Sequence, residues 1–203
     1  MPEHDRCCGT SVGVRIRTWD ADHGWLYLLI RRGWHPIGCA PVAGHVKDAH
    51  TDVTSALLAE VREETGLQVT DSRVLWEGHL PNLCASLPAR PVAGHEWTLV
   101  DAEVTGELRP DPEETRGALL ATSRKLQAMA DATIDFARSG APVHEQPPSS
   151  MEAVWVEHLA RLGDITADAS ARRAVARLYT APPRFYWLGG AEVPAAEVDP
   201  ALL

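Results

Sequence analysis

Apolar and polar residues alternate between 11 and 19, where Val12, Val14 and Ile16 take turns with Gly13, Arg15 and Arg17. A period of two predicts a strand with one face in the core. A polar turn at 20–24 follows, and then the unbroken apolar run Trp25-Leu26-Tyr27-Leu28-Leu29-Ile30. Such a run fits a strand buried on both faces, and the two segments predict a hairpin. Residues 74–80 and 95–104 read as two more strands. Between them lies an 81–94 loop broken by Pro81, Pro88 and Pro91. Loops of this length without an element of their own often form a lid or a binding wall.

The pattern changes to a helical period in four places. Residues 52–66 predict a short helix, with Asp52 placed to cap its first amides and Gly66 to end it in the left-handed conformation. Residues 123–138 carry Leu126, Met129, Ala130, Ile134 and Ala137 on one face, with Gly140 beyond the end. Residues 139–150 are a linker by composition. Ser149-x-x-Glu152 then predicts a capping box opening a helix that runs to Leu162 and closes at Gly163. Residues 167–179 predict a last helix, stopped by Pro182-Pro183. Phe185-Tyr186-Trp187 is expected to pack back onto the body, and the tail after Gly190 to be loose. Strands interleaved with helices suit a mixed sheet between helices.

The 52–66 helix carries an unusual charge pattern. Glu60, Glu63 and Glu64 stand at i, i+3 and i+4, so three carboxylates share one helix face. One reading is a solvated acidic face with Arg62 nearby. The other is a site for a hard divalent cation, Mg²⁺ or Mn²⁺, which prefers carboxylate oxygen and shares its shell with phosphates. Arg31-Arg32, at the end of the second strand, is either a solvated pair that stops the strand or a phosphate contact suited to the guanidinium fork.

Composition narrows the field. The chain has 203 residues, 45% hydrophobic and 23% charged, which suits one domain plus an extension. There is no apolar run of membrane-spanning length and no apolar leader at the start, so a soluble, cytoplasmic protein is expected. The formal net charge of −9 argues against general nucleic-acid binding. It does not exclude an anionic substrate, because a metal and a few arginines reverse the sign locally. Cys7, Cys8, Cys39 and Cys84 read as free thiols; a zinc site from His4, Cys7 and Cys8 is the alternative.

The stretch 44–67 resembles the Nudix box, whose family pattern is G-x5-E-x7-R-E-U-x-E-E-x-G-U with U apolar. Glu60-Val61-Arg62-Glu63-Glu64-Thr65-Gly66-Leu67 matches its last eight positions, and Gly44-His45-Val46 resembles its opening. Ala59 stands where the family has arginine. Thr51, or His50 with a shifted gap, stands where it has its first glutamate, and Gly44 precedes Thr51 by one residue too many. An acid and a base are absent together, which suggests altered bracing of the loop more than a lost metal site.

The resemblance covers residues 10–140. It implies an α/β Nudix-like α/β/α sandwich with a mixed sheet, and 141–203 is then a helical C-terminal extension packed on it. The extension would cover one side of the substrate cleft or build a homodimer contact. The implied reaction is hydrolysis of a nucleoside diphosphate linked to another moiety. Glu60, Glu63 and Glu64 would hold Mg²⁺ or Mn²⁺, and Glu63 or Glu64 would act as base. Arg31, Arg32, Gly44 and His45 would contact substrate. Glu113 and Glu114 fall where some members of the family place a further carboxylate, a solvated turn being the alternative. Trp34, Trp76 and Trp97 are candidates to stack a base, although burial in the core is the commoner fate of tryptophan. A nucleotide-binding protein of the same fold with little or no turnover is the second reading.

Overall fold

The computed structural model describes residues 6–33, 35–47, 50–88, 91–188 and 191–200. In chain order these form β1 (Thr10–Asp20), β2 (Gly24–Arg31), β3 (Cys39–Ala40), β4 (Val42–His45), α1 (Val53–Thr65), β5 (Gln68–Leu80), β6 (His95–Thr105) and β7 (Ala118–Thr122). Then follow α2 (Ser123–Ser139), α3 (Ala153–Leu162), α4 (Ala169–Tyr179), β8 (Phe185–Leu188) and β9 (Ala191–Pro194). The main sheet runs β3-β2-β1-β6-β5, with β4 also on β1 and β7 also on β2. β1 and β6 pair in parallel, and the other pairs are antiparallel. Helix α1 packs against β1, β4 and β5, while α2 packs against β2 and β7. The result is the expected α/β sandwich around a mixed sheet.

β1 departs from the half-buried strand predicted by its alternation. Residues 11–16 are all buried, because the polar parity is covered too. Gly13 lies under the Trp155 ring of α3: a Cβ there would come within 2.7 Å of that ring and 2.9 Å of Leu99. Arg15, two residues on and so on the same face, gives its Nε to Asp101 and its Nη1 to Asp164, each at 2.8 Å. Arg17 reaches Asp101 at 3.2 Å, and the Tyr27 hydroxyl donates to Asp164 at 2.9 Å. Arg15 and Asp164 are almost wholly buried. Removing one member of such a set leaves a buried charge uncompensated, at about 3–5 kcal/mol.

The C-terminal segments enter the same core. Trp155, Leu159, Val175 and Leu178 join Val12, Leu29 and Leu99 in one apolar cluster. The predicted capping box is not formed. α3 starts at Ala153, four residues after Ser149, and Glu152 itself occupies the N-cap position, with no capping bond from its side chain. The linker-like stretch 139–150 is stitched to its surroundings. Buried Gln146 donates to the carbonyls of Ile37 and Met151, and the Met151 N–H donates to Met129.

Other differences have local causes. β3 and β4 carry only six residues between them, and the glycines and proline around them hide any period. β5 starts directly after the α1 cap, because its polar first half pairs with β6 as an edge strand. β7 is a five-residue strand running straight into α2. The tail is not loose: β8 pairs with β9, and Val198 is buried beside Leu87 and Tyr186. No helix among the described residues is long and apolar enough to cross a membrane.

The contact between Gly13 and Trp155 is open to a direct test. Gly13→Ala should cost about 1–3 kcal/mol in urea unfolding, the usual range for overpacking. Trp155→Phe removes the ring atoms that a new Cβ would strike, so the double variant should lose less than the sum of the single losses. Additive losses would mean that the two residues do not meet.

Candidate active site

Helix α1 begins and ends as its sequence dictates. The Asp52 carboxylate accepts the Ser55 N–H at 2.8 Å, and the Ser55 hydroxyl faces the Asp52 N–H at 3.2 Å, a reciprocal cap. Gly66 closes the helix at φ 75°. Between these stops, Ala56, Leu57 and Val61 bury one side, which turns Glu60, Glu63 and Glu64 toward a cleft of about 410 Å³. β4 contributes Ala43, Gly44 and His45 to the cleft, and the loop after β5 contributes Asn82 to Ser86. Arg32, His50, Glu114, Glu152 and Trp187 complete much of the rest.

The three glutamates sit in different environments. Glu64 is buried, and the Ala43 N–H donates to its Oε2 at 3.2 Å. Its proton affinity is raised well above the usual carboxylate range, first by burial and then by the neighbouring Glu60 charge; Arg32 and the Ala43 amide pull the other way. Glu60 lies against Gly44 so closely that a Cβ there would overlap its carboxylate. Its Oε1 is 4.0 Å from His50 Nε2. Glu63 is more exposed and lies 3.6 Å from Arg62. Thr51 is exposed and bonds to Asp52 and Ser55. His50 rather than Thr51 therefore faces Glu60 in the cleft.

Arg32 lines the cleft, whereas Arg31 is exposed on β2 and is not part of the lining. The Arg32 Nε stands 3.5 Å from Glu152 Oε2. Both atoms are buried without a hydrogen-bond partner, so charge attraction holds them without an aligned bond. Burial pushes Glu152 up to about 7, with Arg32 pulling it down. Burial and Arg32 together hold the nearby His35 down at about 4. Glu114 also lines the cleft, its affinity raised by burial and then by Glu63, while the Glu113 amide is turned to Asp111. Trp97 reaches the lining edge with its Nε1 donating to Asn82 at 2.9 Å. Trp76 lies under the Arg161 guanidinium outside the cleft, and Trp34 falls outside the described residues.

The donor set on α1 suits a hard divalent ion, since all three groups are carboxylates. Burial beside Glu60 makes the charged form of Glu64 costly, and such an ion would offset that cost. Among the described residues, the set of metal-type donors already gathered at one point consists of cysteines and histidines rather than these glutamates. Glu152 was hidden by its apparent capping role. The signal that could have revealed it is an acid set directly before the apolar run Ala153-Val154-Trp155-Val156.

A family model described as the NUDIX domain matches residues 9–157. No curated protein matches the chain. Solved structures of similar shape include the NUDIX domain of Shewanella oneidensis NrtR complexed with ADP ribose, at 12% identity and a TM-score of 0.49, covering 77% of this chain and 88% of that one. A Deinococcus radiodurans protein is similar at 14% identity and a TM-score of 0.49, covering 75% and 81%. A putative nudix hydrolase family member from Chromobacterium violaceum is similar at 15% identity and a TM-score of 0.45, covering 84% and 94%.

Glu152 gives the site a pH signature. Its folded-state pKa lies above the ordinary 4.5, so the folded chain holds a proton that the unfolded chain has released. The stability this confers is complete below about pH 4.5 and is lost as pH rises through about 7, on the order of 3 kcal/mol in all. Glu152→Gln removes this dependence. Denaturant unfolding at pH 5 and pH 8 should therefore show the variant gaining on the wild type at the higher pH. Parallel pH profiles would contradict a buried, proton-holding Glu152.

Proposed function

This chain belongs to the Nudix family, and from that premise we propose that it is a metal-dependent hydrolase of a nucleoside diphosphate linked to another moiety. The observation that carries the reading is the meeting, in one cleft, of Glu60, Glu63 and buried Glu64 with Arg32. Carboxylates to hold a divalent ion and a guanidinium to hold phosphate are the two needs of a diphosphate site.

The roles follow from position. Glu60, Glu63 and Glu64 would hold Mg²⁺ or Mn²⁺, which would supply positive charge against the negative charge developing at the attacked phosphoryl group and acidify the attacking water. Glu63 or Glu64 would take the proton of the attacking water. Arg32 binds a phosphate oxygen and is positioned by Glu152 behind it. Gly44 leaves room for the Glu60 carboxylate, and His50 orients it from the position where the family has its first glutamate. The 82–86 segment and Trp187 form a wall for the second moiety. Residues 10–140 carry the catalytic glutamates, and the extension 141–203 supplies Glu152 and Trp187.

A panel of nucleotide sugars, dinucleotides, ADP-ribose and nucleoside triphosphates, followed by release of phosphate or monophosphate with Mg²⁺ or Mn²⁺, tests this. Turnover should stop on chelation. Glu63→Gln and Glu64→Gln should each lower kcat, and the base should lose about 10²–10⁴-fold. Arg32→Ala should act mainly on KM. Tight ligand binding with no turnover of any compound would favour the non-catalytic reading.

A further inference from the structure

On the wall of the same cleft is a second cluster with different chemistry, three of whose members, His45, Cys84 and His95, line the cleft. The donor atoms of Cys7, His45, Cys84 and His95 all lie within 4.8 Å of one another. Cys7 Sγ is 3.2 Å from His95 Nε2, and Cys84 Sγ is 3.6 Å from His45 Nε2. The two imidazoles are stacked, with centroids 5.5 Å apart. We propose that these four residues form a tetrahedral site for one Zn²⁺ ion, separate from the divalent site on α1. The inference does not depend on the hydrolase reading.

The geometry supports it at several levels. Zinc bonds of about 2.3 Å to sulfur and 2.0–2.1 Å to nitrogen give a tetrahedron with edges of roughly 3.3–3.8 Å. The two sulfur–nitrogen distances, 3.2 and 3.6 Å, are at that scale. His95 is held in the tautomer a metal needs. Its Nδ1 is 2.9 Å from the Asn82 carbonyl, which can only accept, so Nδ1 carries the hydrogen and Nε2 turns a lone pair toward Cys7. Asn82 is in turn fixed by Trp97. The Gly9 N–H donates to Cys7 Sγ at 3.4 Å, the kind of bond that steadies a thiolate. Two sulfurs and two nitrogens form a soft set that selects zinc over the magnesium favoured by carboxylates. Four protein ligands also fill a zinc shell, which marks a structural site rather than a catalytic one.

The four ligands come from four places: the segment before β1, the end of β4, the loop after β5 and the first residue of β6. Among its described residues that loop has no helix, and its strand-like contacts are isolated bridges at Ser86 and Pro88. Its described backbone is held by a few bonds, Cys7 N–H to Leu87, Leu83 N–H to Tyr179, and a reciprocal pair with Trp187 in which Leu87 N–H donates to Trp187 and Trp187 N–H donates to Ala85. A zinc ion would fasten it to the sheet at Cys84. Because Asn82 to Ser86 line the active cleft, the ion would set the position of one cleft wall. The zinc set considered from sequence shares only Cys7 with this one. Cys8 Sγ is turned to Thr10, and His4 lies outside the described residues.

Cobalt titration of the reduced full-length chain tests the proposal. One Co²⁺ per chain should produce thiolate-to-metal charge transfer and the strong visible bands of tetrahedral Co²⁺. Zn²⁺ should bleach both, and Mg²⁺ should not. Cys7→Ser and Cys84→Ser should each weaken binding by more than about 100-fold, beyond the usual loss from an outer partner. Cys8→Ser and Glu64→Gln should leave the spectrum unchanged. If the cysteine variants fail to fold, metal analysis of wild type decides: one zinc per chain, with a fall in Tm on its removal, is expected. Absence of the charge-transfer band, or its loss in Glu64→Gln instead of the cysteine variants, would overturn the site. A chain whose two thiols join as a disulfide and take up no metal after reduction would do the same.

Discussion

The edge of β1 that faces away from β6 is divided between two partners. Residues 11–14 bond to β4, and residues 17–20 bond to β2. β2 therefore leaves β1 after one short register and continues with β7 and β3. β4 takes the vacated edge, and with it comes the backbone that organises the site. Its Ala43 amide meets Glu64, its Gly44 makes room for Glu60, and its His45 reaches Cys84. A β2 paired along the whole of β1 would leave none of these groups a place.

The same strand explains how an acidic chain concentrates still more acid in its cleft. Glu60, Glu64, Glu114 and Glu152 meet where burial makes each charge expensive, and the response differs at each position. Glu64 and Glu152 shift toward the neutral form, while Glu60 has His50 within ion-pair range. On the far half of β1, Arg15 and Arg17 meet Asp101 and Asp164 as a compensated set. The charges around Arg15 are thus balanced within the chain, whereas those in the cleft are left short of positive charge. That imbalance is the physical demand a bound cation would meet.

Much of α1 could be read in advance, because its stops are local: Asp52 and Gly66 act on the backbone within one turn, and the spacing of three glutamates fixes their face. The long strands β1, β2 and β6 were legible from their apolar content. Beyond these, the determinants are long-range. Arg15 looked solvent-facing because its partners are 86 and 149 residues away. Ser149-x-x-Glu152 has the letters of a capping box, yet Glu152 finds Arg32 across the fold, and burial overrides the local preference. No spacing rule joins Cys7, His45, Cys84 and His95, because the sheet and one loop bring them together. The substitution of His50 for an acid is visible only once the helix is in place to show which residue faces Glu60.

Trp155 over Gly13 also bears on how the chain is made. The contact joins residues 142 positions apart in sequence, and the cleft itself draws on residues from Ser11 to Trp187. During synthesis β1, β2 and α1 leave the ribosome long before α3. Until α3 arrives, the Gly13 face of β1 lacks its cover, Arg15 lacks Asp164 and Arg32 lacks Glu152. Pairings of such high sequence separation are slow to close, and a sheet waiting for its cover is a surface to which other nascent chains can stick. The glycine that lets a tryptophan seat itself so deeply thus also defers the finished site until nearly the whole polypeptide has been translated.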